Sequence, residues 1–168
     1  MDYCKALVDQ AVVLGHAKII GPVYSVVGKA DAVEPAQQKV EFQLVVKNLK
    51  ELAKYAESKG ITICVEPLNR FETDFLNTVE QGLKLAPEDP FILDSMGWVL
   101  YRMNQNEAAL TFLKRAHEIR SDAEISAHYG EVLWVAGRQD EARKVWSGAL
   151  KQSPANELLL ATVKKFSP

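Results

Sequence analysis

Apolar residues in the stretch 2–15 (Cys4, Leu7, Val8, Ala11, Val12 and Leu14) recur close to every 3.6 positions and stop at Gly15, which predicts an amphipathic helix with a glycine end. The next apolar run, AKIIG at 17–21, is short and bounded by glycine, the pattern of a strand buried on both faces. Residues 21–35 contain two glycines and two prolines and read as a long loop. Residues 36–59 place Val40, Phe42, Leu44, Val45, Leu49, Leu52, Ala53 and Ala56 on one helical stripe, with Gly60 as the terminating cap. ITICVEP at 61–67 predicts a second strand. Asn77, with Glu80 three residues on, has the spacing of a capping box and opens a helix through about Leu85. Two strands separated by a long helix are expected to pair in parallel through a helical crossover.

From Pro87 onward the strand pattern stops and the chain repeats itself. Gly97 recurs as Gly130, Ala109 as Ala142 and Ala116 as Ala149, each pair 33 residues apart. Small residues at fixed offsets are needed where paired helices touch. Helices are predicted near 91–103, 106–119, 123–136, 139–152 and 156–166, with Leu93, Met96, Leu100, Leu113 and Leu133 in the core. Residues 82–87 also align with 149–154, so the helix ending at Leu85 is expected to close the first segment and serve as part of a repeat. The predicted division is therefore 1–81 and 82–168, joined by a continuous helix.

The stretch EPLNRFETDFLNT at 66–78, preceded by GPVYSVVGK at 21–29, resembles the ketose 3-epimerases, the tagatose and psicose epimerases. The resemblance covers roughly residues 2–81. It implies part of a (β/α)8 barrel, with Glu66 matching the strand-end glutamate that is metal ligand and acid/base, and Glu72 matching a glutamate that contacts the sugar. Manganese or magnesium is the cofactor if that resemblance is functional. The ligands and second base that such enzymes take from later strands have no counterpart here, and two strands cannot close an eight-stranded barrel. One carboxylate is a poor metal site, so no cofactor is expected.

Residues 87–168 resemble tetratricopeptide repeats, units of ~34 residues that bind a peptide in a concave groove. That register points Asp94, Trp98, Tyr101 and Arg102 into the groove from the first unit, and Ala127, Glu131 and Trp134 from the second. Aromatic residues with arginine suit a binding hot spot. Asp94, Ser95 and Trp98 depart from the lysines and asparagines by which such repeats hold chaperone tails. The expected fold is thus an α/β fragment, a partial TIM barrel, fused to an all-α tetratricopeptide array. The expected function is a recombined or engineered chimera without intact catalysis, whose repeat half is structural or binds protein. The rival reading is a metal-dependent epimerase completed by a partner chain.

Composition narrows the remaining choices. A net charge of −2 gives no basic footprint for nucleic acid, and no apolar run approaches a membrane span. Two cysteines, with no leader pattern at the start, favour the cytoplasm. Open strand edges predict homodimerisation through the N-terminal half, or coverage of that half by repeat helices. Gly28-Lys29-Ala30 is not a phosphate loop, for Ala30 stands where Ser or Thr is required. His16, His117 and His128 form no metal-binding pair, and Cys64 in an apolar strand reads as an inert thiol.

Overall fold

The computed structural model describes residues 1–26, 28–31 and 33–166. Val27 and Ala32, within the stretch read as a loop, and Ser167 and Pro168 at the end of the repeat half lie outside the described residues. In chain order the elements are α1 (Asp2–Val13), β1 (Lys18–Gly21), α2 (Pro35–Ser58), β2 (Thr62–Val65), α3 (Val79–Leu85), α4 (Pro90–Arg102), α5 (Asn106–Ile119), α6 (Ala123–Val135), α7 (Gln139–Gln152) and α8 (Glu157–Phe166). The architecture is mostly helical with one small parallel sheet. The chain divides into two units, Met1–Gln81 and Gly82–Pro168, the divide falling within the sequence of α3.

In the first unit β1 and β2 run parallel, Lys18 opposite Thr62 and Gly21 opposite Val65. A parallel pair needs a crossover, and α2 supplies it. Pro35 opens α2, where its fixed φ costs nothing, and Gly60 leaves it at a φ of 71°, a conformation that suits glycine. Val8 and Ala11 of α1, Leu52 and Ala56 of α2, and Ile61 form the core, with Ile19 and Ile63 packed against it. The expectation that β1 is buried on both faces fails: Ile20 is 69% exposed. Side chains alternate across a strand, so Ile19 reaches the helical core while Ile20 points away from it. Among the described residues the sheet has no third strand.

The start of α3 also departs from the expected cap. Thr78 and Gln81 form the reciprocal pair, Gln81 N donating to Thr78 Oγ1 at 3.3 Å and Thr78 N to Gln81 Oε1 at 3.0 Å. Asn77 instead donates from its amide to the carbonyls of Leu68 at 2.7 Å and Thr73 at 3.1 Å. It closes the preceding loop rather than capping the helix.

In the second unit α4 packs on α5 and α6 on α7, and α8 packs on α6 and α7. The repeat is visible in its joints. Asp89 caps α4 by accepting from Phe91 N and Ile92 N, and Asp122, 33 residues later, caps α6 by accepting from Ile125 N. The turn after α4 passes through Asn104 at a φ of 61°, and the turn after α6 through Gly137 at 82°, again 33 apart. Both are residues that tolerate the left-handed region. Gly97 lies against Leu113 and Gly130 against Trp146, so closely that neither glycine leaves room for a Cβ. Leu113, Val132, Leu133, Trp146 and Leu159 are the buried centre, and a second cluster joins Leu93, Ala116 and Ile125 with Leu83 and Phe112.

Candidate functional sites

The first candidate site is the loop that leaves β2. Its backbone is held from several sides. Leu68 N donates to Leu76 O at 3.1 Å, closing the loop at its neck. Tyr24, itself buried, donates its hydroxyl to Glu66 O at 2.9 Å. Burial raises the Tyr24 pKa above its ordinary value, and the Glu66 and Glu72 charges act in the same direction, so it stays a proton donor. Thr73 is fully buried; its hydroxyl donates to Ser25 Oγ at 3.1 Å and accepts from Phe75 N. Gly28 N donates to Glu72 O at 2.7 Å and Asp74 N to Lys29 O at 3.0 Å, and Lys29 Nζ pairs with Glu41 at 2.5 Å and lies 3.9 Å from Asp74.

The two glutamates singled out by sequence fare differently. Glu66 follows β2 directly; its amide donates to Gly21 O at 3.1 Å, which fixes the main chain at the strand end while the side chain is exposed. Glu72 is partly buried and accepts from the Asn69 side-chain amide, while Asn69 Oδ1 accepts from Phe71 N. Glu72 is thereby engaged within its own loop. Among the described residues no group of three His, Cys, Asp or Glu side chains could hold a metal ion. The donors present therefore do not fit a divalent cation, which in catalytic sites is held by about three protein ligands. Phe71 is 82% exposed at the tip of this loop.

The second candidate site is a groove of about 510 Å³ in the helical unit, walled by α4, α6 and α8. Trp98, Tyr101 and Arg102 line it from α4 and His128, Glu131 and Val135 from α6. Trp98 stacks on His128, ring centroids 4.2 Å apart. Asp94 is buried beneath, its Oδ2 2.9 Å from His128 Nδ1. Burial acts to lower the His128 pKa, but the Asp94 bond and charge, helped by Glu124 and Glu131, outweigh it and hold the pKa above its ordinary value. Glu131, buried, accepts from the Tyr101 hydroxyl at 3.1 Å and from Lys165 Nζ of α8 at 3.2 Å.

The structure thus brings Trp98, Tyr101, Arg102 and Glu131 together on one groove, with Asp94 supporting it from below. Trp134 and Ala127 are not among the lining residues. Trp134 stacks on Trp146 and under Arg143, on the α7 side of α6, and Ala127 is buried in the core, its carbonyl facing Trp146 Nε1 at 3.5 Å. The stripe of α6 that faces the groove is 128, 131 and 135, and residues 127 and 134 lie on the neighbouring stripe, toward α7. Sequence reading missed Asn104, Asn106, His128, Val135, Leu158, Thr162 and Lys165. The 33-residue register carried past Glu131 reaches Lys164 and so misses Lys165 by one residue.

Comparison with known proteins finds relatives of two kinds. An L-ribulose 3-epimerase of Methylomonas sp. (strain DH-1) is 35% identical over 80 residues, which are 48% of this chain and 27% of that protein. A TPR repeat-containing protein of Pseudomonas aeruginosa is 34% identical over 96 residues, 57% of this chain and 16% of that one. The chain thus spans less than a third of the length of these relatives. The crystal structure of a D-psicose 3-epimerase from Clostridium cellulolyticum H10 with D-tagatose superposes at a TM-score of 0.49 and 19% identity, covering 98% of this chain and 66% of that one. Residues 1–88 of the 168 match the family described as xylose isomerase-like TIM barrel, and by that match over more than half its length the chain belongs to this family.

Proposed function

We propose that this chain is a protein-interaction module of the tetratricopeptide type joined to an epimerase-type barrel segment that has no intact catalytic site of its own. The observation that carries the reading is the contrast between the two sites. Glu66 stands at a strand end without the further carboxylates or imidazoles that a metal-assisted proton exchange at a sugar carbon requires. The groove, in contrast, presents aromatic, cationic and apolar side chains on rigid helices. The chain is read as a chimera because it resembles two unrelated kinds of protein, a barrel family matched over residues 1–88 and a repeat protein.

Two experiments test this. Incubating the purified chain with D-fructose or D-tagatose and Mn²⁺ is expected to give no C3 epimer; turnover abolished by Glu66→Gln would overturn the absence of catalysis. Screening the chain against a random peptide library is expected to recover peptides whose binding Trp98→Ala weakens. An empty screen would overturn the interaction module.

A second reading has its own observation. Ile20, Val26, Val40, Leu44 and Phe71 of the first unit are all exposed. A barrel segment completed by another chain, either a second copy or a separate epimerase-type polypeptide, would cover such side chains and supply the missing ligands. Epimerisation that appears only on adding that second polypeptide would favour this reading.

A further inference from the structure

The groove's hydrogen-bonding groups are unevenly used. Both of its carboxylates are buried and already committed, Asp94 to His128 and Glu131 to Tyr101 and Lys165. Arg102 is exposed and has no ion-pair or hydrogen-bond partner among the described residues, and the side-chain amides of Asn104 and Asn106 are likewise unengaged. The last turn of α4 is a favourable place for a cation, because the helix dipole is negative there, but the dipole leaves the guanidinium's five donors unfilled. The uncommitted capacity at this end of the groove is therefore dominated by donors and carries positive charge. Beside it the wall turns apolar, with Val135 and Leu158 roughly half exposed.

We infer that the occupant is an extended acidic peptide segment with an apolar residue next to its carboxylate. The carboxylate sits on Arg102, with Asn104 and Asn106 donating beside it, and the apolar side chain lies on Val135 and Leu158. Arginine is suited to this because its fork matches a carboxylate bidentately. A basic segment would meet Arg102 and Lys165 with like charge, and it could not use Asp94 or Glu131 without stripping them from their present partners. This inference rests on the interaction-module reading and adds to it the chemistry of the partner.

The test is the composition of peptides that the full chain selects from an unbiased random library, followed by fluorescence anisotropy of the best synthetic peptide. The expected result is enrichment of Asp and Glu adjacent to aliphatic or aromatic residues. Arg102→Glu should weaken binding by about tenfold to a hundredfold, the range for a lost charge-assisted hydrogen bond. Arg102→Gln should weaken it less, and Lys151→Glu on exposed α7 should leave it unchanged. Circular dichroism melts of the variants confirm that the fold is kept. Recovery of basic or uncharged peptides overturns the acidic partner and leaves the interaction module standing. Acidic peptides that bind Arg102→Glu equally well overturn the assigned site, and recovery of no peptide overturns both.

Discussion

Substituting Gly130 by alanine isolates the contact on which the second unit's packing depends. A Cβ built on Gly130 would lie 2.0 Å from Trp146 Nε1, 2.5 Å from Cε2 and 2.6 Å from Cδ1. The indole cannot step aside freely. It is 2% exposed, stacked on Trp134 at 5.7 Å and on Phe166 at 6.2 Å, and its N–H faces the Ala127 carbonyl at 3.5 Å. Overpacking of this kind costs ~1–3 kcal/mol, against a helix-propensity gain of up to ~1 kcal/mol for replacing glycine. Disturbing the indole N–H contact adds up to ~1 kcal/mol more. The expected net is a loss of ~1–3 kcal/mol, and each kcal/mol shifts the melting midpoint by roughly 4–8 °C in a unit of this size. Gly148 is the internal control: it lies inside α7 with no atom within 4 Å of a built Cβ, so Gly148→Ala should stabilise by up to ~1 kcal/mol. All three tryptophans, Trp98, Trp134 and Trp146, lie in the second unit, so urea denaturation followed by tryptophan fluorescence reports that unit. A Gly130→Ala chain as stable as the parent, while Gly148→Ala behaves as expected, would show that α6 and α7 do not rely on this close approach.

Three further outcomes follow from the same structure. Because the folded His128 pKa is raised, its contribution to stability is complete below the unfolded value of ~6.5 and is lost as pH rises through the folded pKa. Burial lowers the His117 pKa, so its contribution runs the opposite way and is lost as pH falls; the midpoint-versus-pH slope must therefore be compared between parent and His128→Gln, which should lose the descending limb, and an unchanged slope refutes the pairing. Gly82→Ala should stabilise by up to ~1 kcal/mol and so raise the midpoint, since a Cβ there meets only Ile92 at an ordinary 3.4 Å; a lower midpoint would show that the helices need to sit closer. Sedimentation velocity across a concentration series should show self-association weakened by Ile20→Lys, and a monomer at all concentrations would refute association through the exposed strand.

Much of the fold was legible because it rests on local signals. The 3.6-residue stripes placed every helix within a residue or two, and the 33-residue recurrence of Gly97 and Gly130 marked where helices touch. What stayed hidden depended on partners distant in sequence. Thr78 rather than Asn77 caps α3 because Asn77 is drawn off to Leu68 and Thr73, a competition that no spacing rule reveals. His128 showed in the sequence only as a histidine without a metal-binding partner, yet its role comes from Asp94, 34 residues away, and from the Trp98 ring above it. Trp134 was assigned to the groove on its register alone, and the tertiary stack with Trp146 and Phe166 took it elsewhere.

The first unit shows the limit of reading function from a motif. EPLNRFE keeps the local features of an epimerase strand end: β2 delivers Glu66, Tyr24 fixes its carbonyl, and Asn69 and Thr73 shape the turn that follows. All of these depend on contacts within about fifty residues, so a fragment can retain them. Metal binding and proton exchange depend instead on groups that the barrel gathers from several strands. The described residues hold one such strand-end carboxylate and a loop carboxylate turned toward Asn69. Local contacts can therefore hold a motif's structure without by themselves supplying its chemistry. The helical groove, in contrast, presents Arg102, Asn104 and Asn106 beside apolar walls on one surface.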